Sequence, residues 1–216
     1  MECAWFFDGM AGMRTLSPCS TYKAYANSLL AFMSSLTEGC HPTLVGLIND
    51  CYLDDSTKNS TRAGRGKAGV NVKITSINQT MLTGMRWKEF LHNSKNKVTL
   101  SIISRYFQSE EMRSNLPFPM IVNDKYDTVL ITSESIAYMF ECNHEEADYR
   151  LVLHALVCGQ DAVVVAKDTD VLVLLIWAYV HFNVKYQWYL MYEKGVYADI
   201  SAISQYFGVF LCESIL

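Results

Sequence analysis

The sequence has 216 residues, of which 50% are hydrophobic and 12% aromatic. This composition is typical of a globular protein and excludes an intrinsically disordered one. Its length allows one domain with a sizeable buried core. The formal net charge of −4 does not by itself indicate a nucleic-acid binder, and the seven cysteines lack the spacing of a disulfide framework. We therefore expect reduced thiols in an intracellular protein, nuclear or cytoplasmic.

No segment indicates secretion or membrane insertion. The N-terminus has no basic leader and is interrupted by Asp8. The longest uncharged apolar run, 171–184, is shorter than the roughly 20 residues that a transmembrane helix needs. We expect no membrane association.

The first half of the chain alternates strand-like and helical patterns. Apolar runs predict strands over 3–7 and 43–48, and helical spacing predicts helices over 22–36 and from about Trp87 to Phe107. Between the second strand and the second of these helices lies a polar stretch, 54–69, which is typical of a loop or a frayed helix.

The second half continues the alternation. We expect strands over 127–132, 161–166 and 188–192, and helices over 144–159, 171–180 and from Ile200 onward, with Gly159 ending the first of these helices. The run 161–166 is continuously apolar, as in a strand covered on both faces. Strands that alternate with helices predict an α/β fold with a mainly parallel sheet.

Acidic residues recur where predicted strands end. Asp8 follows the first strand, Asp50 the second, and Asp168 and Asp170 the strand 161–166; a further group, Glu145, Glu146 and Asp148, opens the helix after residue 144. Taken singly, each acid is explained by a turn or a helix cap. Because ligands bind beyond the carboxyl ends of parallel strands, their shared position predicts one site.

A carboxylate cluster of this kind favours a hard cation. Neighbouring carboxylates repel each other unless a cation lies among them, and oxygen ligands suit Mg²⁺ or Mn²⁺ better than Zn²⁺. The pairs Cys40–His41 and Cys142–His144 lack the spacing of a four-ligand zinc site.

The charged residues between Ser56 and Lys88 are all basic. Cations that hold a phosphate backbone beside carboxylates that hold a metal are what a phosphodiester-cleaving enzyme needs. An ordinary solvated loop remains the alternative. We expect contacts to nucleic acid from the basic residues of the polar stretch, Lys58, Arg62, Arg65 and Lys67.

Two motifs carry a resemblance to a known family. CNHEEADYRLVLHAL followed by DAVVVAKDTDVLVLL resembles the PIN-like, flap-endonuclease-like domain of uncharacterised, mobile-element-associated animal proteins. That domain has a His-Glu-Glu-Ala-Asp-Thr-Arg helix and a Ser-x-Asp-Thr-Asp-Val-Leu strand end. The resemblance extends to FFDGMA, INDCYLDDSTKNSTRAGRG, RWKEFLHNSKNKVTL and YADISAISQYFGVFLCESIL, which together span nearly the whole chain.

The resemblance implies a three-layer PIN-like fold over 1–216, a single nuclease domain with a basic loop or helical insert at 54–97. It also implies roles for the acids as metal and catalytic residues. Asp8 and Asp50 would be the carboxylates of the first two strands, Glu146 and Asp148 the acid pair of the helix with Glu145 beside them, and Asp168 and Asp170 the paired aspartates of the next strand end.

The chain departs from the family pattern in two places. Asn49 precedes Asp50 where Phe is common, and the chain ends at Leu216, before the Gly-Cys-Asp motif that supplies a further metal ligand in the family. We therefore expect a domain truncated at its C-terminus, with one metal position under-ligated and Mg²⁺ binding weak, because Mg²⁺ demands near-complete octahedral coordination.

The sequence thus predicts a divalent-metal-dependent nuclease that hydrolyses DNA or RNA and is weakened by truncation. The alternative is a catalytically degenerate PIN-like module that binds nucleic acid or a protein partner without cleavage. A metabolic α/β enzyme is disfavoured because no Gly-rich nucleotide loop follows the first strand. The sequence carries no signal for DNA over RNA or for an oligomeric state.

Overall fold

A computed structural model describes residues 2–50, 72–93, 96, 100–124, 127–130, 139–142 and 144–212. Lys58, Arg62, Arg65 and Lys67, and with them most of the predicted basic insert, lie outside these residues. The same holds for the last four residues of the chain, 213–216.

The centre of the molecule is a seven-stranded sheet in the order β4-β3-β2-β1-β5-β6-β7. Its five inner strands run parallel, and the two edge strands pair antiparallel with their neighbours. The strands are β1 (Glu2–Asp8), β2 (His41–Ile48), β3 (Met120–Asp124), β4 (Asp127–Leu130), β5 (Ala162–Val165), β6 (Trp188–Glu193) and β7 (Val196–Asp199). β1 therefore lies in the middle of the sheet, flanked by β2 and β5.

Helices cover both faces of the sheet. The first face carries α1 (Gly9–Thr15), α2 (Tyr22–Leu36), α3 (Met85–His92), α4 (Ser101–Phe107) and α5 (Glu110–Arg113). The second carries α6 (Ala147–Val157), α7 (Thr169–His181) and α8 (Ile200–Cys212). The arrangement is a three-layer α/β fold with a mostly parallel sheet, as the alternation of strands and helices predicts.

Alternating side chains of the strands create the two cores. In β1, Trp5 and Phe7 pack with the helices of the first face, whereas Ala4 and Phe6 pack with those of the second. The period of two residues in a strand dictates this division. Full burial of such a side chain contributes about 1.5–3 kcal/mol, so the sheet needs helices on both faces.

Most predicted elements are confirmed within one to four residues at their ends. The helix over 22–36 forms as expected, and its first turn is capped by Thr21, whose Oγ1 accepts the N–H of Ala24 at 3.1 Å. Gly159 follows α6 with a φ of +62°, a conformation that favours glycine, which explains why α6 ends there.

Some expectations were wrong or incomplete. Among the described residues, the helical period from Trp87 to Phe107 includes two separate helices, α3 and α4, and the sequence patterns missed α1, α5, β3 and β7. On α8, Tyr206 is a large aromatic side chain, yet 85% of it is exposed. Amphipathic spacing identifies a helix, but only tertiary packing decides which part of its apolar face is covered.

Part of the region predicted as a basic insert belongs to the first core. Ile74, Met81, Trp87 and Phe90 are buried there against α2 and the sheet.

None of the described helices is long and apolar enough to cross a membrane.

Candidate functional site

The topology creates a crevice at the carboxyl ends of β1 and β5. These neighbouring strands are parallel, with Phe7 opposite Val165. The chain leaves β1 into α1 and α2 on the first face, and it leaves β5 into α7 on the second. Where consecutive connections diverge to opposite faces, the strand ends are left open, and α/β folds bind their ligands at that point.

Asp8 lies at the mouth of this crevice as the last residue of β1 and the N-cap of α1. Its Oδ1 accepts the N–H groups of Met10 at 2.9 Å and Ala11 at 3.1 Å. Burial raises the pKa of Asp8, the charge of Asp50 adds to the rise, and the two hydrogen bonds act against it. The half-buried carboxyl of Asp8 is thus held in place by the hydrogen bonds to one of its two oxygens.

Gly9 allows β1 and β2 to end close together. A Cβ atom at this position would collide with the side chain of Asn49, the residue that precedes Asp50. The Asp-Gly pair is therefore required for packing as well as for the turn into α1, and it brings the loop that carries Asp50 against Asp8.

Asp50 is positioned by a residue that the sequence patterns did not identify. The side chain of Asn123, buried at the end of β3, accepts the N–H of Asn49 and donates to its carbonyl, both at 2.7 Å. This pair of bonds fixes the loop after β2. Asp50 Oδ1 in turn accepts the N–H of Ala147 at 3.0 Å, so the carboxylate sits at the start of α6.

Asp168 and Asp170 are exposed, although they follow a buried strand. Asp168 is the N-cap of α7, and its Oδ1 accepts the N–H of Asp170 at 3.0 Å. Lys167, immediately before them, is also exposed. The two aspartates therefore face solvent at the rim of the crevice, where they need no buried partner.

Asp148 connects these groups electrostatically. It lies in the first turn of α6, and its pKa is raised to about 6 by partial burial and then by the negative charges of Asp8, Asp168, Asp50 and Asp170. The repulsion between two charges weakens as the distance between them grows, so the aspartates that raise the pKa of Asp148 must lie near it. Five aspartates that are distant in sequence thus converge at one end of the sheet.

Glu145 and Glu146 lie just before α6 and are half-buried. Glu146 is the N-cap residue of that helix, but its side chain makes no capping hydrogen bond. Both belong to the same edge of the sheet as Asp148.

Buried Arg150 holds the loop that carries these glutamates. Its guanidinium donates to the carbonyl of His144 at 2.6 Å and to that of Cys142 at 2.9 Å. One turn later, the buried ring of His154 contacts the carbonyl of Phe140 at 2.9 Å through Nε2. Burial lowers the pKa of His154 to about 4, so the ring is neutral at physiological pH and donates to this carbonyl.

The donor set fits a hard divalent cation, because carboxylates that raise one another's pKa are relieved by a positive charge. Among the described residues, however, no three His, Cys, Asp or Glu side chains are arranged to hold a metal ion. Oδ1 of Asp8, Asp50 and Asp168 instead accepts N–H groups at the starts of α1, α6 and α7.

Comparisons with known proteins give no match to a family model, to a curated protein or to a solved structure.

Proposed function

We propose that the chain is a PIN-like, flap-endonuclease-like nuclease that hydrolyses phosphodiester bonds of DNA or RNA with Mg²⁺ or Mn²⁺. The observation that carries the proposal is that the ends of β1, β2 and β5 and the start of α6 bring aspartates together at one edge of the sheet, where burial and the charges of four other aspartates raise the pKa of Asp148 to about 6. Clustered carboxylates destabilise the folded chain unless a cation offsets their repulsion. Perturbed carboxyl pKa values in a crevice are typical of functional sites.

The position of the cluster also supports the proposal. It lies where the connections after β1 and β5 diverge, which is where α/β folds bind ligands. When bound, a divalent ion activates a water molecule and stabilises the charge that develops on the leaving oxygen. Asp8, Asp50, Asp148 and Asp168 would hold it, with Asp170, Glu145 and Glu146 beside them.

Further parts of the chain would position the substrate. Lys58, Arg62, Arg65 and Lys67 would contact phosphates of the nucleic-acid backbone, each contributing to the salt dependence of binding.

The free thiols among the described residues fit a nuclear or cytoplasmic location. They are Cys3, Cys19, Cys40, Cys142 and Cys158.

The test is cleavage of labelled single-stranded and branched DNA and RNA oligonucleotides in Mn²⁺, with EDTA as the blank. Asp148→Asn and Asp168→Asn should each lower the rate by about 100-fold or more, because even residues that only orient metal ligands cost 10–100-fold. The matched control is Asp161→Asn. Asp161 precedes β5 at its opposite end and accepts the N–H of Gln187 at 2.8 Å.

We expect the control to cleave at the rate of the parent chain. Cleavage that persists in EDTA, or that Asp148→Asn and Asp168→Asn leave intact, would contradict the proposal.

A second candidate is a degenerate PIN-like module that binds nucleic acid or a protein partner without cleaving it. One observation favours it: Oδ1 of Asp8, Asp50 and Asp168 accepts backbone N–H groups, and no three metal-binding side chains among the described residues are arranged to hold an ion. Tight binding of the oligonucleotides, with no Mn²⁺-dependent cleavage of any of them, would select this candidate.

A further inference from the structure

A cavity of about 320 Å³ opens beside the aspartate cluster. It lies on the first face of the sheet, between α1, α2 and the carboxyl ends of β1, β5 and β6. Asp8 forms part of its wall, so the cavity and the cluster share one carboxylate. A volume near the lower end of the roughly 300–1,000 Å³ of small-molecule sites suits a ligand of modest size.

The cavity has an apolar interior and a charged mouth. Phe7, Val165 and Met191 from the strand ends and Phe32 and Leu36 from α2 line it. Lys167 and Lys194, both exposed, lie at its edge. Exposed Glu193 lines the cavity beside Lys194. A flat apolar ligand that bears a phosphate matches this combination, because its rings would contact the interior while its phosphate stays near the two lysines.

We propose that this cavity binds one nucleobase of the nucleic-acid substrate, that of the nucleotide whose phosphate lies at Asp8. The assignment rests on the nuclease function proposed above. Base contacts with aromatic and apolar side chains hold single strands with little sequence preference, because every base has a π-face. The cavity would therefore select an unpaired nucleotide at the site of cleavage over a stacked duplex, whose bases are not available to enter it.

The two lysines at the mouth of the cavity are able to bind the phosphate of the nucleotide. Lys194 pairs with Glu38 at 3.6 Å, but both side chains are more than 60% exposed, at 62% and 79%. Such exposed pairs contribute little and exchange readily for another anion. Lys167 directly precedes Asp168, so one short loop joins the cavity to the cluster.

The test fills the cavity without disturbing the core. Ser35 lines the cavity from an exposed position on α2, and its hydroxyl donates to the carbonyl of Phe32 within the same helix at 2.8 Å. Ser35→Trp should therefore fold normally while occupying the space. The matched control is Ala31→Trp, which adds the same side chain at an exposed position one turn earlier on α2, outside the cavity lining.

Binding is measured by calorimetry in EDTA with uridine 5′-monophosphate, uridine and inorganic phosphate as separate probes. We expect the nucleotide to bind more tightly than either of its parts, and Ser35→Trp to weaken it at least about tenfold while Ala31→Trp does not. Inorganic phosphate that binds as tightly as the nucleotide, or unchanged nucleotide binding by Ser35→Trp, would overturn the proposal.

Cleavage assays separate this proposal from the one on which it rests. If the parent chain cleaves single strands with Mn²⁺ and Ser35→Trp cleaves them equally well, the nuclease function stands and the nucleobase site fails. If no cleavage occurs but nucleotide binding in EDTA responds to Ser35→Trp as expected, the cavity binds nucleotides and the nuclease function fails.

Discussion

Replacing Asp148 by Asn should make the metal-free protein more stable at neutral pH. Burial and neighbouring negative charges raise the pKa of the Asp148 carboxyl to about 6 in the folded chain, from its ordinary value of 3.8. A raised carboxyl pKa means that the folded state binds the proton more tightly than the unfolded state, so stability decreases as the pH rises through the window from about 4 to 6. Above that window, the charged group opposes folding.

The size of the effect follows from the shift. At about 1.4 kcal/mol for each pKa unit, the two-unit rise corresponds to roughly 3 kcal/mol if unscreened. Asp148 is only partly buried, so water screens much of this, and we expect a gain of about 1 kcal/mol from Asp148→Asn. For a chain of this length, that gain is a rise in Tm of roughly 2–4 °C at pH 7.5.

The assay is thermal unfolding at pH 4 and pH 7.5 in EDTA, repeated with Mn²⁺. At pH 4 the parent carboxyl is already neutral, so the variant and the parent should differ little. Mn²⁺ should stabilise the parent by about 2.7 kcal/mol at 100 times its Kd and the variant by much less. Asp161→Asn should show neither effect. A variant that is less stable than the parent at pH 7.5, or equally stabilised by Mn²⁺, would refute the reasoning.

Three further predictions concern the residues that support the site. Asn123→Ala should destabilise the chain by about 2 kcal/mol in urea unfolding, because it removes both bonds to the backbone of Asn49, and a loss below about 0.5 kcal/mol would contradict that role. Arg150→Met should slow Mn²⁺-dependent cleavage even at temperatures at which the variant remains folded, because it releases the loop before α6. Unchanged cleavage would show that Arg150 does not need to hold this loop. The neutral His154 should cost up to about 3 kcal/mol of stability as the pH falls from 6.5 to 4, best measured in Asp148→Asn, where the opposing titration of Asp148 is removed; a flat profile there would contradict a buried neutral ring.

Local patterns in the sequence were sufficient to predict the central strands and the acids that follow them. β1 and β5 are apolar runs bounded by acids, and a parallel sheet needs both of its faces covered, so these two strands are recognisable without tertiary information. The placement of Asp8 and Asp168 at neighbouring strand ends follows from the same logic, because parallel strands share one carboxyl edge.

The residues that hold the site were not predictable in this way. Asn123 is the fourth residue of a strand of five, and its two hydrogen bonds join it to a residue 74 positions away. Arg150 lies among apolar residues of α6, where a charged side chain is normally expected to reach solvent, yet it is 1% exposed and bonded to backbone carbonyls. Contacts of this kind depend on tertiary structure and leave no periodic signal in the sequence.

The most direct test of the central claim, that these aspartates form a divalent-cation site, is an anomalous difference map of crystals soaked in Mn²⁺. The account predicts a peak at the carboxyl ends of β1 and β5, with carboxylate oxygens of Asp8, Asp148 and Asp168 about 2.0–2.6 Å from it. A map without a peak at this edge of the sheet, at Mn²⁺ concentrations that saturate any cleavage activity, would contradict the account.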